Sequence, residues 1–252
     1  MTARPSDHGS ENLSDRSVFP TLSPGALHVW RVRLDLPSDE VQRLSDRLSN
    51  DERCRAKRFV RNEGCRHYTV AHAALRTIVG GYLNLEPSHV SLTVRPGGKP
   101  ELSPGVGAIP LRFNLSHSGE LAMLAVAWDR EVGVDVERVR PTVEAENIIR
   151  RFFAPGEQSA WLATSDSQRL AAFFRAWTRK EAYLKARGAG LAGGLDRFEV
   201  SLEPDRPARV LRGEEPWAQW PLYDVSPGDG YTAACMIEPP SDAPTVYDWP
   251  IR

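Results

Sequence analysis

Two carboxylates, Asp135 and Glu137, stand two positions apart in the stretch GVDVERV, residues 133–139. An extended chain puts alternate side chains on one face, so Val132, Val134 and Val136 face one way and Asp135 and Glu137 the other. Carboxylates held this close repel unless water, a basic group or a metal compensates them. The stretch AWTRKEAYLKARG offers compensation of two kinds. On a helix, Trp177, Glu181 and Lys185 fall one turn apart along one face, with Lys180 beside them. As an exposed ion pair, Glu181 and Lys185 would contribute only about 0.2–0.5 kcal/mol. As a third carboxylate, Glu181 would instead complete an oxygen-rich site for a hard cation. Mg²⁺ takes few protein carboxylates and leaves its other positions to waters and substrate phosphate, a count that Asp135, Glu137 and Glu181 satisfy.

Three further stretches carry polar chemistry. FNLSHSG juxtaposes Ser116 and His117, but neighbours on a strand face opposite ways, no G-x-S-x-G elbow is present and no third orienting acid lies nearby. The pair does not read as a hydrolase triad. Beside a turn, the two side chains either donate hydrogen bonds to phosphate oxygens or cap their own backbone. ERCRAKRFVRNEGCR, with Arg53, Arg55, Lys57, Arg58, Arg61 and Arg66, is the one basic cluster. It reads as a solvated helix face or a pocket for a phosphorylated ligand; a nucleic-acid patch is the weakest reading, for want of interleaved aromatics or a known motif. In VRPGGKPEL, Arg95 and Lys99 flank two glycines that let the backbone approach a ligand, whereas a plain hairpin turn needs only one. GAGLAG, 188–193, matches G-x-G-x-x-G in letters but follows a helix, so it reads as a helix C-cap and loop.

The elements that must position these residues recur in the same order. ALHVWRVRLDL alternates as a strand, SNDERCRAKRF reads as a capped helix, and a longer helix runs over 64–83. VSLTVRPGGKPEL follows as strand, turn and strand, and RFNLSHSGELAMLAVAWD as a hairpin turning at Ser118-Gly119. FFAPGEQSAWL, RLAAFFRAWTRKEAYLKARG, FEVSLEPDRPARV and LYDVSPGDGYTAACMI repeat that order. The repeat predicts an α/β (α+β) fold of two pseudo-symmetric lobes, each a small antiparallel sheet with packed helices, with a ligand cleft between them. The expected division is a disordered tail over 1–24, lobes over 25–129 and 130–238, and a loose Pro-rich tail over 239–252.

At 252 residues and 41% hydrophobic, the chain can bury a sizeable core, and a net charge of −1 gives no global drive toward nucleic acid or anionic membrane. Cys54, Cys65 and Cys235 lack C-x-x-C spacing, which argues against a disulfide framework and a zinc site. No apolar leader or membrane-spanning run is evident, so a cytoplasmic location is expected.

The ordered set GGKPEL, FNLSHSG, GVDVE and WTRKEAYLKARGAGL resembles the 4′-phosphopantetheinyl transferases of the surfactin-synthetase-activating class, over residues 27–237. That resemblance implies transfer of the phosphopantetheine arm of coenzyme A to a serine of an acyl or peptidyl carrier protein, releasing adenosine 3′,5′-bisphosphate. It implies that Asp135, Glu137 and Glu181 hold Mg²⁺ on the CoA pyrophosphate, and that Asp135, Glu181 and Lys185 carry the catalysis. Ser116, His117 and Lys185 would contact phosphates, His117 the 3′-phosphate, and Lys180 would position the pyrophosphate. Arg55, Arg66, Arg95, Gly98, Lys99 and Pro100 would wrap the adenosine end. Glu52 departs from relatives in which a lysine stands at that place. Carrier proteins are acidic, so docking would be transient, against basic and apolar residues, by a monomer whose two lobes build the cleft. The competing reading is a non-catalytic CoA-binding or carrier-docking module of the same fold; the intact carboxylates and Lys185 favour the enzyme. A different Mg²⁺-dependent nucleotide enzyme is a third reading.

Overall fold

Alternation along LHVWRVR makes the strand β1 (Leu27–Arg33), and its two faces serve different cores. Leu27 and Val29 enter one apolar cluster, Trp30 and Val32 another. β5 (Leu121–Trp128) divides likewise, with Met123, Ala125 and Ala127 on the first side and Ala122, Leu124 and Val126 on the second. A strand with almost no polar residue is one covered on both faces. The structure, a computed structural model, describes residues 19–95, 98–107, 110–188, 194–204, 206–225 and 227–249.

The first half builds α1 (Ser38–Ser45), α2 (Asn50–Ala56), α3 (Asn62–Leu83), the paired β2 (Leu92–Val94) and β3 (Pro100–Leu102), and β4 (Leu111–Ser118), which pairs antiparallel with β5. Gly119, at φ +56°, supplies the positive dihedral that turns the β4–β5 hairpin. The second half repeats the plan: β6 (Val132–Arg138), α4 (Ala145–Phe152), α5 (Pro155–Ala163), α6 (Asp166–Arg187), β7 (Glu199–Val200) with β8 (Val210–Arg212), and β9 (Leu222–Val225) with β10 (Tyr231–Ile237). The sheets are ordered β11-β1-β5-β4 and β6-β10-β9, where β11 is Thr245–Trp249. Val132, Val134 and Val136 of β6 meet Leu27, Val29, Met123 and Ala125 in a shared dry layer between the two sheets.

Both expected tails are corrected by the packing. Leu22 is buried and the Phe19 ring lies against Trp30 and Tyr82, so ordered packing begins before residue 25; residues 1–18 lie outside the described residues. Within the Pro-rich end, TVYDW forms β11, parallel to β1, with Tyr247 stacked on Trp30 and Asp248 accepting a bidentate pair from Arg31. Its β-branched and aromatic residues are strand formers, and the prolines stand outside it. The first sheet is therefore mixed, not purely antiparallel. Among the described residues no helix is long and apolar enough to cross a membrane.

One device locks each lobe. Ser49 caps α2, and Glu52 at the third helical position returns a hydrogen bond to the Ser49 amide (2.9 Å). The same carboxylate accepts from His72 Nδ1 (3.0 Å) and Arg76 Nε (2.5 Å) on α3. In α5, Glu157 accepts from the Ala154 and Val200 amides, and Lys180 Nζ of α6 bonds both of its oxygens at 2.7 Å. Arg76 and Lys180 each lie fourteen residues beyond the start of a 22-residue helix, so the lock recurs at the same place in both halves.

Two outcomes follow from these locks. Glu157→Ala would leave Lys180 buried without a counter-charge, lowering unfolding free energy by about 3–5 kcal/mol in urea titrations, and replacing both residues with apolar ones of similar size should recover most of that loss. Burial opposes ionisation of Glu52, but the bonds from His72, the Ser49 amide and Arg76 outweigh it and hold its pKa at about 2, below the usual 4.5. Its contribution is complete above pH 4.5 and is lost as pH falls toward 2. The stability advantage of the native protein over Glu52→Gln should shrink across that window in acid titrations followed by circular dichroism.

Candidate active site

The site forms where α6 crosses β6, and Gly133 allows the crossing. A Cβ at that position would lie 2.2 Å from the Ala182 carbonyl oxygen and 2.3 Å from the Ala186 amide nitrogen. The face of β6 that carries Asp135 and Glu137 thus lies directly under the helical face that carries Glu181 and Lys185. The strand alternation read from the sequence is the one observed: valines to the inter-sheet layer, carboxylates to the helix.

β4 supplies the third side of the site. Its even-numbered residues stitch it to β6: Asn114 Oδ1 accepts from the Val134 amide (2.8 Å), Ser116 Oγ donates to Asp135 Oδ1 (2.8 Å), and Ser118 Oγ donates to Glu137 Oε2 (2.6 Å). Lys185 Nζ bonds Asp135 Oδ1 at 2.6 Å and Ser116 Oγ at 2.9 Å. The bonds to Asp135 fall on Oδ1 and those to Glu137 on Oε2. Among the described residues, Asp135 Oδ2 and Glu181 Oε1 are buried with no hydrogen-bond partner. Burial, reinforced by Asp135 and Glu137 and only partly offset by Lys185, pushes the Glu181 carboxyl up to about 7. Burial and the Asp135 charge also raise the Glu137 carboxyl, against the Ser118 bond. An uncompensated, half-buried set of carboxylate oxygens is the donor chemistry of a hard cation. Among the described residues the three carboxylates do not close into a finished metal-binding cluster.

His117 points to the opposite side of β4 from Ser116, as strand geometry requires. It is exposed in a concavity of about 410 Å³ lined with Phe59, Arg61, His67 and Tyr68. Crowding by protein, then the nearby positive groups His72, Lys185 and His67, lowers its pKa. Phe59 also borders a second concavity, of about 630 Å³, with Arg55 and Arg58. Arg55 lies over the Tyr68 ring, 5.8 Å from its centroid, and Tyr68 stacks on His72.

Other expected site residues stand elsewhere. Lys180 is fully buried, bonded to Glu157 and to the Phe198 carbonyl, so it does not reach the Asp135 cluster; one helical position turns it through about 100° from Glu181, into the core. Arg66 donates to the Leu36 carbonyl (2.7 Å). Arg95 and Lys99 are paired with Glu131, and Arg95 also with Glu101. Gly98, at φ +89°, turns the hairpin, Pro100 pairs opposite Val94, and Pro96 and Gly97 lie outside the described residues. Glu52 is the α2 lock, with no room for a ligand role. Of GAGLAG, Gly188 caps α6 in the left-handed conformation and 189–193 lie outside the described residues. Ser118, Asn114, His67 and Tyr68 were not anticipated. The alternating polar run N-x-S-x-S in β4 was a usable signal for the first two, whereas nothing local marks His67 and Tyr68.

Known proteins resemble this chain in both of its halves. The family model for the 4′-phosphopantetheinyl transferase superfamily matches residues 131–236, and that for the 4′-phosphopantetheinyl transferase N-terminal region matches 36–129. The chain is 41% identical over 217 residues to the 4′-phosphopantetheinyl transferase HetI of Nostoc sp., covering 86% of this chain and 90% of that protein. It is 31% identical to a 4′-phosphopantetheinyl transferase of Bacillus subtilis, covering 71% and 78%, and 27% identical to Sfp of Bacillus subtilis, covering 84% and 93%. Both halves of the chain are matched in order and a relative above 40% identity spans nearly all of it: this protein belongs to the 4′-phosphopantetheinyl transferase superfamily.

Proposed function

We propose that the protein transfers the 4′-phosphopantetheine arm of coenzyme A to a serine of acyl or peptidyl carrier proteins, with Mg²⁺ at the α6–β6 crossing, releasing adenosine 3′,5′-bisphosphate. The observation that carries this reading is the half-matched charge cluster. Lys185 and Ser116 occupy one oxygen of Asp135, while Asp135 Oδ2 and Glu181 Oε1 are buried and unpartnered. Asp135, Glu137 and Glu181 are the residues that would hold the cation. When bound, Mg²⁺ offsets negative charge on the pyrophosphate.

The side chains of this protein account for the remaining work. Lys185 presents an ammonium beside the carboxylates, a cation for the phosphates once substrate competes for it. Ser116 offers a hydroxyl donor next to it. Glu181, with its carboxyl near 7, is suited to take the proton of the carrier serine, directly or through a water. His117 with Arg61 and His67 in one concavity, and Arg55 with Arg58 in the neighbouring one across Phe59, offer donors suited to the 3′-phosphate, with Glu63 and Asp51 as the acids of the two linings. The non-catalytic alternative gives no account of a Glu181 carboxyl raised to about 7 beside the orphaned Asp135 Oδ2.

Three measurements test this reading. Mass gain of an apo carrier incubated with CoA and Mg²⁺ should be abolished in Asp135→Ala, with the native fold kept by circular dichroism. The raised Glu181 pKa means that its contribution to stability is present below pH 4.5 and lost as pH rises through 7. In metal-free buffer at pH 8, Glu181→Gln should therefore melt higher than the native protein, and Mg²⁺ should raise the melting temperature of the native protein alone. His117→Ala should weaken CoA about tenfold or more in calorimetry, with a smaller effect on 3′-dephospho-CoA, since one charge-assisted hydrogen bond contributes about 1.5–3 kcal/mol.

A further inference from the structure

Lys99 stands on the hairpin of the first half, yet every group its ammonium bonds lies beyond that half's last strand. Nζ donates to Glu131 Oε2 (3.0 Å), to the Val132 carbonyl (2.8 Å) and to the Lys185 carbonyl (3.2 Å). An ammonium has three N–H bonds, and all three are matched within the protein. The side chain is only 9% exposed. Glu131 is itself fixed, accepting from Arg95 Nη1 (2.9 Å) while its amide donates to Glu238. The Lys185 carbonyl also accepts from the Gly188 cap amide (3.2 Å), and its second lone pair, at the negative end of the helix dipole, is where the buried ammonium of Lys99 sits.

The three acceptors sit at the point where the site is assembled. Val132 precedes Gly133, on which α6 rests, and Lys185 is the residue whose side chain bonds Asp135 and Ser116. We propose that Lys99 is a positioning residue: anchored by Glu131 and the Val132 carbonyl, its ammonium fixes the Lys185 backbone and so fixes where Lys185 reaches Asp135 and Ser116. This rests on the transferase reading for its kinetic consequence, but not for its structural one. The role differs from wrapping the adenosine end of CoA, which would need a donor that Lys99 has already committed.

Lys99→Met keeps the length of the side chain and removes the charge; Glu131→Gln keeps the shape of the anchor and removes the ion pair without altering Lys99. Two readouts apply to both variants: steady-state kinetics of carrier modification, and amide hydrogen exchange of Ala186, Arg187 and Gly188 in the ligand-free protein. Positioning predicts that each variant lowers kcat about 10- to 100-fold with KM for CoA held within about threefold, because small displacements of a catalytic group cost rate and not ground-state affinity. It also predicts exchange at the α6 end faster by about tenfold in both. A rise of tenfold or more in KM for CoA in Lys99→Met, with kcat kept and Glu131→Gln unaffected, would assign Lys99 to direct CoA binding and overturn the proposal. Unchanged exchange in both variants overturns it as well. If the native protein fails to modify any carrier, the transferase reading falls, and the exchange measurement alone still decides for or against the lock.

Discussion

The close contact of α6 with β6 at Gly133 is the constraint on which the site depends. With the helix backbone resting on a strand position that has no side chain, Lys185 is brought within hydrogen-bonding range of Asp135, and Glu181 close enough to feel the charges of Asp135 and Glu137. The same closeness excludes water from part of each carboxylate, and loss of hydration is what raises the Glu181 and Glu137 pKa values. A side chain at 133 would lift the helix, separating the ion pair and rehydrating the acids together. The chemistry is a consequence of a backbone approach.

Around that contact, the two halves share a scaffold and differ in what it displays. Each is locked by a helix-capping carboxylate that reaches a buried cation on the long helix, Glu52 with Arg76 and Glu157 with Lys180. The positions on α3 that correspond to Glu181 and Lys185 are Thr77, bonded to the Ala73 carbonyl and Arg47, and Gly81, covered by the Phe19 ring. One copy of the fold unit therefore carries the acids, while the other contributes β4, His117 and the basic α2 to the same neighbourhood. Buried ion pairs offer little net stability against apolar replacements but are costly to break, which suits them to fixing the geometry of each half.

The seam between the halves is polar on one side and dry on the other. The valines of β6 fill the inter-sheet layer, while Asn114, Ser116 and Ser118 bond its polar face and backbone. Apolar burial holds the sheets together without direction, and the serine and asparagine bonds set the register of β4 against β6. That register decides which residues of FNLSHS meet the carboxylates and which face α3.

The sequence by itself determined the local features: the alternation that puts Asp135 and Glu137 on one face, the helical spacing of Glu181 and Lys185, a Ser or Asn cap opening α2, the stop after α6 in GAGLAG and the repeated order of elements. These are legible because strand and helix periods act between residues a few positions apart. Only the tertiary structure decided what each face meets. Lys180 and Glu181 are neighbours in the chain, yet one fills the core of its lobe and the other faces the site. Lys99 carried the same signal as a ligand-binding lysine until Glu131, Val132 and Lys185 were seen to take its three hydrogens. TVYDW read as part of a loose tail because its partner, β1, lies more than 200 residues earlier, beyond any local pattern. A side chain's type and period fix the direction in which it points; its role depends on charges and surfaces brought there by distant segments, whose positions are set by packing the whole chain.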